Sequence, residues 1–184
     1  MDKQLVRISK FLSLVLRHRP ETIGLSLDQG GWARVDKLLI KANRAGKSLN
    51  EALLRQVVER NDKQRFSLSE DGLKIRANYG HSIPVDLGLE PLMPPEFLFH
   101  GTAARVLESI KRQGLLPRKR NHVHLSPDER TAVQVGKRHG KPIVLTIQAG
   151  RMYKHGFEFY RSGNGVWLTE QVPARYIILE EELT

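Results

Sequence analysis

The sequence predicts an α+β fold in two parts, a helix-rich N-terminal lobe and a strand-rich C-terminal lobe. Three amphipathic helical segments occupy most of the N-terminal lobe, whereas the second half of the chain consists mainly of short apolar runs bounded by glycine and proline. Four prolines between residues 80 and 95 separate the two patterns. The predicted domains are therefore residues 1–84, a packed linker at 85–96, and residues 97–184.

Helical and strand signals alternate in the N-terminal lobe. Its predicted elements are a helix over 3–16 that ends before Pro20, a strand at 25–27, helices over 35–44 and from the capping box Ser48-Leu49-Asn50-Glu51 to Arg60, and strands at 65–68 and 73–75 around a turn glycine. The order helix, strand, helix, helix, strand, strand is that of a winged helix. Such domains bind nucleic acids most often, but they also serve as protein contacts.

The charge of the chain favours a polyanionic partner. The formal net charge is +10 and the pI is near 10.1. Residues 1–84 carry sixteen Lys and Arg against nine Asp and Glu, and residues 85–184 carry fourteen against eleven. Because the excess is concentrated in the first lobe, nucleic acid is the better prediction for the winged helix.

Several kinds of protein are excluded by what the sequence lacks. It has no cysteine, which removes disulfides, thiolate metal sites and a cysteine nucleophile. It shows no signal peptide and no apolar run of membrane-spanning length, so we expect a cytoplasmic protein without a membrane partner. No GxGxxG, Walker or GxSxG pattern is present, which argues against Rossmann, P-loop and serine-hydrolase sites.

The C-terminal lobe begins with the most informative stretch, residues 98–126. The apolar residues before His100-Gly101-Thr102 predict a buried strand that ends in a tight turn at this tripeptide, followed by a helix over 103–113. Alternation places His122 and His124 on one face of a further strand. The remaining predicted elements are a helix from Ser126-Pro127-Asp128-Glu129 to Arg138, strands at 142–148, 157–160, 166–169 and 175–179, a turn at Ser162-Gly163-Asn164-Gly165, and an acidic tail.

The candidate chemistry rests on arginine and histidine rather than on carboxylate pairs, which the motif regions lack. Cationic side chains next to element ends can converge on a ligand, and the guanidinium fork suits phosphate oxygens. These candidates are Arg17, His18, Arg65 and Arg120. Taken alone, each one is also compatible with a solvated surface side chain, which is the commoner role of a lone arginine such as Arg65. His100 alone is compatible with a hydrogen-bonded core histidine, and His122 with His124 lacks a third metal ligand, so no metal site is predicted.

Taken together, the motifs resemble those of the NAD-dependent RNA (tRNA) 2′-phosphotransferase family over nearly the whole chain. The N-terminal motifs that carry the resemblance are Leu16-Arg17-His18-Arg19-Pro20, Gly31-Trp32 with Val35-Asp36, Asn61-Asp62-Lys63-Gln64-Arg65-Phe66, Ile75-Arg76-Ala77 and Gly80-His81-Ser82. The C-terminal motifs are His100-Gly101-Thr102, Arg120 with His122-Val123-His124-Leu125-Ser126, Val135-Gly136, and Asn164-Gly165-Val166-Trp167-Leu168-Thr169. Their joint order and spacing make the resemblance specific. One departure is Arg118, where the family usually has an apolar residue.

The resemblance implies a winged-helix lobe joined to an ADP-ribosyltransferase-like lobe, with the active site in the cleft between them. It implies that NAD⁺ is consumed as a co-substrate while an internal 2′-phosphate is removed from RNA, through an ADP-ribosylated phosphate and with release of ADP-ribose 1″,2″-cyclic phosphate. The implied catalytic residues are Arg17, His18, Arg65 and Arg120. The residues implied to bind NAD⁺ are His100, Gly101, Thr102, His124 and Ser126. We expect a monomer.

Two other functions compete with this interpretation. An ADP-ribosyltransferase acting on a nucleic-acid terminal phosphate, or on protein, would use the same first step and stop there. A nucleic-acid binder with a decayed second lobe would not need intact motifs on both lobes. The sequence does not identify the RNA that would be the substrate in the cell.

Overall fold

The computed structural model describes residues 3–61, 63–138 and 140–179. Asp62 of the predicted motif and the acidic tail at 180–184 lie outside the described residues. The chain divides into two compact units, Met1–Gly88 and Leu89–Thr184. Both mix helices with antiparallel sheet, so the predicted α+β class is confirmed.

The N-terminal unit packs three helices against a small antiparallel sheet. The helices are α1 (Lys3–Arg17), α2 (Val35–Arg44) and α3 (Glu51–Glu59). The strands are β1 (Ala33–Arg34), β2 (Phe66–Leu68) and β3 (Lys74–Ala77), in the order β1-β3-β2. The apolar stripe of α1 lies in the core of this unit, as its helical spacing predicts.

Two details of the N-terminal prediction are wrong. The segment at 25–27 is not a strand: Leu25 donates its N–H to Pro20 after a 3₁₀ turn at Pro20–Ile23, and the segment packs on the core without a neighbouring strand. The third helix is not capped by Ser48. Its cap is Asn50, whose side chain accepts a hydrogen bond from the N–H of Leu53 at 2.8 Å, which is the ordinary N-cap arrangement.

The C-terminal unit contains two three-stranded antiparallel sheets. The first consists of β4 (Leu98–Ala103), β6 (Pro142–Ile147) and β9 (Ile177–Ile178), in the order β4-β6-β9. The second consists of β5 (Val123–Leu125), β7 (Tyr160–Arg161) and β8 (Trp167–Thr169), in the order β5-β8-β7. The helices are α4 (Leu107–Gln113), α5 (Glu129–Gly136) and α6 (Ala149–Lys154).

Three predictions for this unit are also wrong in detail. The first strand does not end in a turn at His100-Gly101-Thr102 but continues to Ala103, because the tripeptide pairs with β6. The cap of α5 is Asp128, which accepts from the N–H of Thr131, and not Ser126. The helix α6 has no counterpart in the prediction, whereas the predicted strand at 157–160 is reduced to β7.

The predicted turn at Ser162-Gly163-Asn164-Gly165 is confirmed. The turn before β8 contains Gly165 at φ 83°, with its N–H donated to the carbonyl of Ser162 at 2.8 Å. The hydrophobic core of the unit includes Trp167, Phe159 and Tyr176. Among the described residues, no helix is both long and apolar enough to cross a membrane.

Candidate active site

Two clusters of cationic and imidazole side chains contain most of the predicted site residues, one in each unit. The N-terminal cluster consists of Arg17, His18 and Arg65. The C-terminal cluster consists of His100, Arg120, His124 and Ser126. The contacts within each cluster are described in turn.

Arg17 is the last residue of α1, and its guanidinium is fixed between aromatic rings. Its Cζ lies 4.7 Å from the ring centroid of Tyr79 and 5.7 Å from that of Phe66. Its Nη2 donates a long hydrogen bond of 3.4 Å to the backbone carbonyl of Arg65. The side chain is only 8% exposed. Cation–π contacts of this kind are worth about 0.5 to 2 kcal/mol and resist reorientation of the charge.

His18 follows directly and is exposed, but its ring orientation is also defined. Its Nδ1 lies 2.9 Å from the hydroxyl oxygen of Ser82, and the N–H of Ser82 donates to the carbonyl of Arg17 at 2.9 Å. The segment at 81–82 therefore returns to the end of α1 and holds both the backbone and the imidazole there.

Arg65 is positioned by a network of side chains around the turn that precedes β2. Its Nη1 donates to Oδ1 of Asn61 at 3.0 Å, and the same oxygen accepts from the N–H of Lys63 at 3.2 Å. Asn78 donates its side-chain amide to the carbonyl of Gln64. Because Asn61 is buried, the orientation of Arg65 is anchored in the interior of the unit.

His81 is buried close to Arg17 and His18. Its side chain is 3% exposed, and burial, together with the nearby charges of Arg17, His18 and Arg76, lowers its pKa from 6.5 to about 4. Within the described residues its Nε2 has no hydrogen-bond partner. At neutral pH the buried imidazole of His81 is therefore neutral, with the charges of Arg17 and His18 close to it.

The C-terminal cluster forms where the two sheets meet. Phe99 of β4 and Ser126 exchange backbone hydrogen bonds of 2.9 and 2.7 Å, which ties the first sheet to the chain that leaves β5. His100 uses Nδ1 to bond the carbonyl of His124 at 2.9 Å. A carbonyl can only accept, so Nδ1 of His100 carries the proton, and the Nε2 of a neutral ring is an acceptor.

Arg120 and His124 are paired directly. Nη1 of Arg120 lies 3.0 Å from Nδ1 of His124. Since a guanidinium can only donate, Nδ1 of His124 accepts, and the proton of the neutral ring is on Nε2. The two Nδ1 atoms therefore have opposite roles, a donor on His100 and an acceptor on His124.

Gly101 and Thr102 occupy buried positions in β4, beneath α5. A Cβ on Gly101 would lie 1.7 Å from the carbonyl oxygen of Ala132 and 2.9 Å from the nitrogen of Gly136. The glycine is therefore required for packing between strand and helix, a reason that the sequence analysis did not consider. Whether the tripeptide also contacts NAD⁺ stays a prediction.

The residues that orient the clusters had no predicted role. Tyr79 was not singled out, although its ring covers Arg17 and its hydroxyl donates to the carbonyl of Lys63 at 3.2 Å. Asn61 and Ser82 lay in recognised motifs without an assigned role. Among the described residues, no group of three or more His, Asp or Glu side chains is placed to hold a metal ion.

The comparisons with known proteins identify the family. The model of the family described as RNA 2'-phosphotransferase, Tpt1 / KptA family, matches residues 3–171. A protein of Acaryochloris marina named "Probable RNA 2'-phosphotransferase" is 58% identical over 178 residues, which cover 97% of this chain and 98% of the relative. Relatives with the same name from Agrobacterium fabrum and Flavobacterium johnsoniae are 58% and 55% identical, over 95% and 92% of this chain and 94% and 93% of the relatives.

A two-unit α+β chain with clustered arginine and histidine side chains fits a class of enzymes that transfer phosphoryl groups. The chain belongs to the RNA 2'-phosphotransferase, Tpt1 / KptA family, which is a family of transferases.

Proposed function

We propose that this protein removes an internal 2′-phosphate from RNA by transferring it to NAD⁺, which is consumed. The products would be RNA with a free 2′-hydroxyl, nicotinamide and ADP-ribose 1″,2″-cyclic phosphate. The observation that carries the proposal is the pair of fixed cationic and imidazole clusters in a chain of this family. No paired carboxylates are needed for this reaction.

The N-terminal unit is proposed to be a winged helix that binds RNA. Its element order is helix, strand, helix, helix, strand, strand, with the strands forming one antiparallel sheet. Its positive charge supports a nucleic-acid partner. The C-terminal unit, with its two small sheets, is proposed to be the ADP-ribosyltransferase-like part that binds NAD⁺.

The first step would join the RNA phosphate to the nicotinamide ribose. A 2′-phosphate is a monoester whose second pKa is near 6, so it is largely a dianion at neutral pH and needs no base to become a nucleophile. One of its oxygens attacks C1″, and the bond from C1″ to the nicotinamide nitrogen breaks with its electron pair going to nicotinamide. Orientation of the phosphate can lower the barrier by several kcal/mol.

Arg17 and Arg65 are proposed to hold that phosphate. Both guanidiniums are fixed before any ligand arrives, Arg17 by aromatic rings and Arg65 by Asn61, so little side-chain entropy remains to be lost on binding. His18 is proposed as a phosphate contact or proton carrier, with its ring oriented by Ser82.

The second step would release the RNA. The ribose O2″ loses its proton and attacks the phosphorus, the bond from phosphorus to the RNA O2′ breaks, and O2′ takes up a proton. Negative charge grows on the phosphoryl oxygens during this step, and Arg120 is proposed to stabilise it. Removing one preorganised donor of this kind costs roughly 10² to 10³ in rate.

His100, Gly101, Thr102, His124 and Ser126 are proposed to form the NAD⁺ site. The defined orientation of the two imidazoles supports this assignment, because each ring is fixed through its Nδ1 atom, to a backbone carbonyl in His100 and to Arg120 in His124.

The proposal is tested by mixing the protein with NAD⁺ and a short RNA that carries one internal 2′-phosphate. We expect loss of the 2′-phosphate and equal amounts of nicotinamide and ADP-ribose cyclic phosphate, measured by mass spectrometry. A stable ADP-ribosylated RNA as the end product would instead support an ADP-ribosyltransferase. Unchanged NAD⁺ would contradict both functions.

A further inference from the structure

A groove runs along one side of α1 in the N-terminal unit and has no assigned role. It encloses about 480 Å³. Five α1 residues line it: Val6, Ser9, Lys10, Ser13 and Leu14. We call it the α1 groove.

The helical spacing of these residues explains why the groove exists. Positions three and four apart lie on one face of a helix, so Val6, Ser9 and Ser13 form one stripe, with Lys10 and Leu14 along its edge. The core-facing residues of α1, such as Leu5 and Leu12, lie on a different face. Because serine is small, the stripe leaves space where longer side chains would fill the surface.

The groove is continuous with residues proposed to bind the 2′-phosphate. His18, Lys63 and Arg65 also line it. Lys10 adds a further cation, and among the described residues that line the groove none is acidic. A ligand in this position would therefore be anionic and would extend from the phosphate that His18 and Arg65 are proposed to bind.

The groove also offers apolar surface and hydroxyl groups. Leu14 is 41% exposed and Val6 is partly exposed, so an aromatic ring can rest on them. The hydroxyl of Ser13 can donate or accept a hydrogen bond. Proteins bind single-stranded RNA in positively charged grooves that follow its backbone, with the bases stacked most often on aromatic side chains. In the α1 groove the cations are present, and Val6 and Leu14 offer an aliphatic surface for the base instead.

We propose that the α1 groove binds the nucleotide adjacent to the 2′-phosphorylated one, with its base on Val6 and Leu14 and its phosphodiester near Lys10. This inference rests on the proposed function and extends it, because it makes recognition depend on an RNA chain rather than on the phosphate alone.

The first test compares 2′-phosphorylated substrates of one and three nucleotides. In Lys10→Ala the ratio of kcat/KM for the trinucleotide to that for the mononucleotide is expected to fall about tenfold, the size of losing one good base or phosphate contact. Ser13→Leu, which fills the groove, is expected to lower the same ratio. Lys37→Ala serves as the matched control, because Lys37 is exposed on α2 and does not line the groove. The control should leave the ratio unchanged.

The second test does not depend on turnover. Binding of an unmodified trinucleotide is measured by fluorescence anisotropy at several salt concentrations. The slope of log affinity against log salt should fall by about 0.7 in Lys10→Ala, the amount expected for one phosphate contact with a single strand. An unchanged slope and an unchanged length ratio in Lys10→Ala and Ser13→Leu would overturn the groove assignment. Failure of the unaltered protein to remove a 2′-phosphate from any substrate would contradict the proposed function instead, and the anisotropy measurement would still decide the groove.

Discussion

The two clusters hold their cations in different ways. In the N-terminal unit, the arginines are oriented by contacts with other side chains. The rings of Tyr79 and Phe66 contact the guanidinium of Arg17, and Asn61 accepts a hydrogen bond from Arg65. In the C-terminal unit, backbone pairing comes first, since the exchange between Phe99 and Ser126 brings the strands of two sheets together. Arg120 is exposed there, on the loop before β5.

This difference predicts different responses to mutation. In the N-terminal cluster, a substitution next to an arginine should change turnover while leaving the fold intact. In the C-terminal cluster, a substitution in the paired strands should first change stability. The predictions that follow test this contrast, starting with the largest expected effect.

The largest effect is expected from Arg65→Ala. If Arg65 holds the phosphate as proposed, loss of its guanidinium should lower kcat/KM by roughly 10² to 10³, because a preorganised donor to the transition state is removed. The circular dichroism spectrum and the unfolding midpoint should stay close to those of the unaltered protein. Arg60→Ala is the control, since Arg60 is exposed at the end of α3. Full activity of Arg65→Ala would refute its assignment.

Gly101→Ala should act on stability. The added methyl would overlap the backbone of Ala132, so the strand and α5 must separate, at a cost of about 3 kcal/mol in the free energy of unfolding. Denaturant unfolding in a Trp32→Phe background reports on the C-terminal unit through Trp167. Gly163→Ala is the control, because a Cβ there would meet nothing within 4 Å. Equal midpoints for the two alanine variants would contradict the packing explanation.

The stability of the N-terminal unit should depend on pH through His81. Its pKa is about 4 in the folded protein and near 6.5 when unfolded, so between these values the unfolded chain binds more protons. The stabilisation is therefore complete above pH 6.5 and is lost as the pH falls toward 4, by up to about 3 kcal/mol.

The measurement is denaturant unfolding followed through Trp32 in a Trp167→Phe background, at a series of pH values from 7 to 4. In His81→Asn the free energy of unfolding should vary less with pH between 7 and 4, even if the substitution lowers it at every pH. The same steep fall in the variant would show that another group causes it.

Much of the architecture could be predicted because it depends on patterns of residues that are close together in the sequence. The helical spacing of Leu5, Ile8 and Leu12 predicted α1, and the Asn164-Gly165 turn predicted the hairpin before β8. Local patterns did not predict the structure correctly where contacts with residues distant in the sequence determine it. The strand β4 continues through Gly101 because that residue pairs with Val144 of β6, and no feature within the tripeptide reveals that partner.

The candidate site could likewise be predicted from the sequence only in part. Arginine and histidine at element ends could be found from the sequence, because charge and position suffice to nominate them. Tyr79 and Ser82 could not be given their roles, since each acts on a residue more than sixty positions away that only folding brings near. The one local signal for them is position: Ser82 belongs to the motif Gly80-His81-Ser82, and Tyr79 directly precedes it.

The smallest effect is expected from Tyr79. Tyr79→Leu removes the ring over Arg17 and should lower kcat about tenfold through a less ordered guanidinium, with KM for NAD⁺ unchanged. Tyr79→Phe keeps the ring and loses only the hydroxyl bond to Lys63, so it should stay within a few-fold of full activity. Equal losses in the two variants would assign the role to the hydroxyl rather than to the ring.

The most direct test is to measure two affinities separately, by calorimetry, on the same pair of variants. For Arg65→Ala we expect the Kd for 2′-phosphorylated RNA to rise at least tenfold, about 1.4 kcal/mol, while the Kd for NAD⁺ stays constant. For His100→Ala we expect the reverse. Variants that weaken both ligands equally, or the opposite assignment of the two effects, would contradict the division of the phosphate and the dinucleotide between the two clusters.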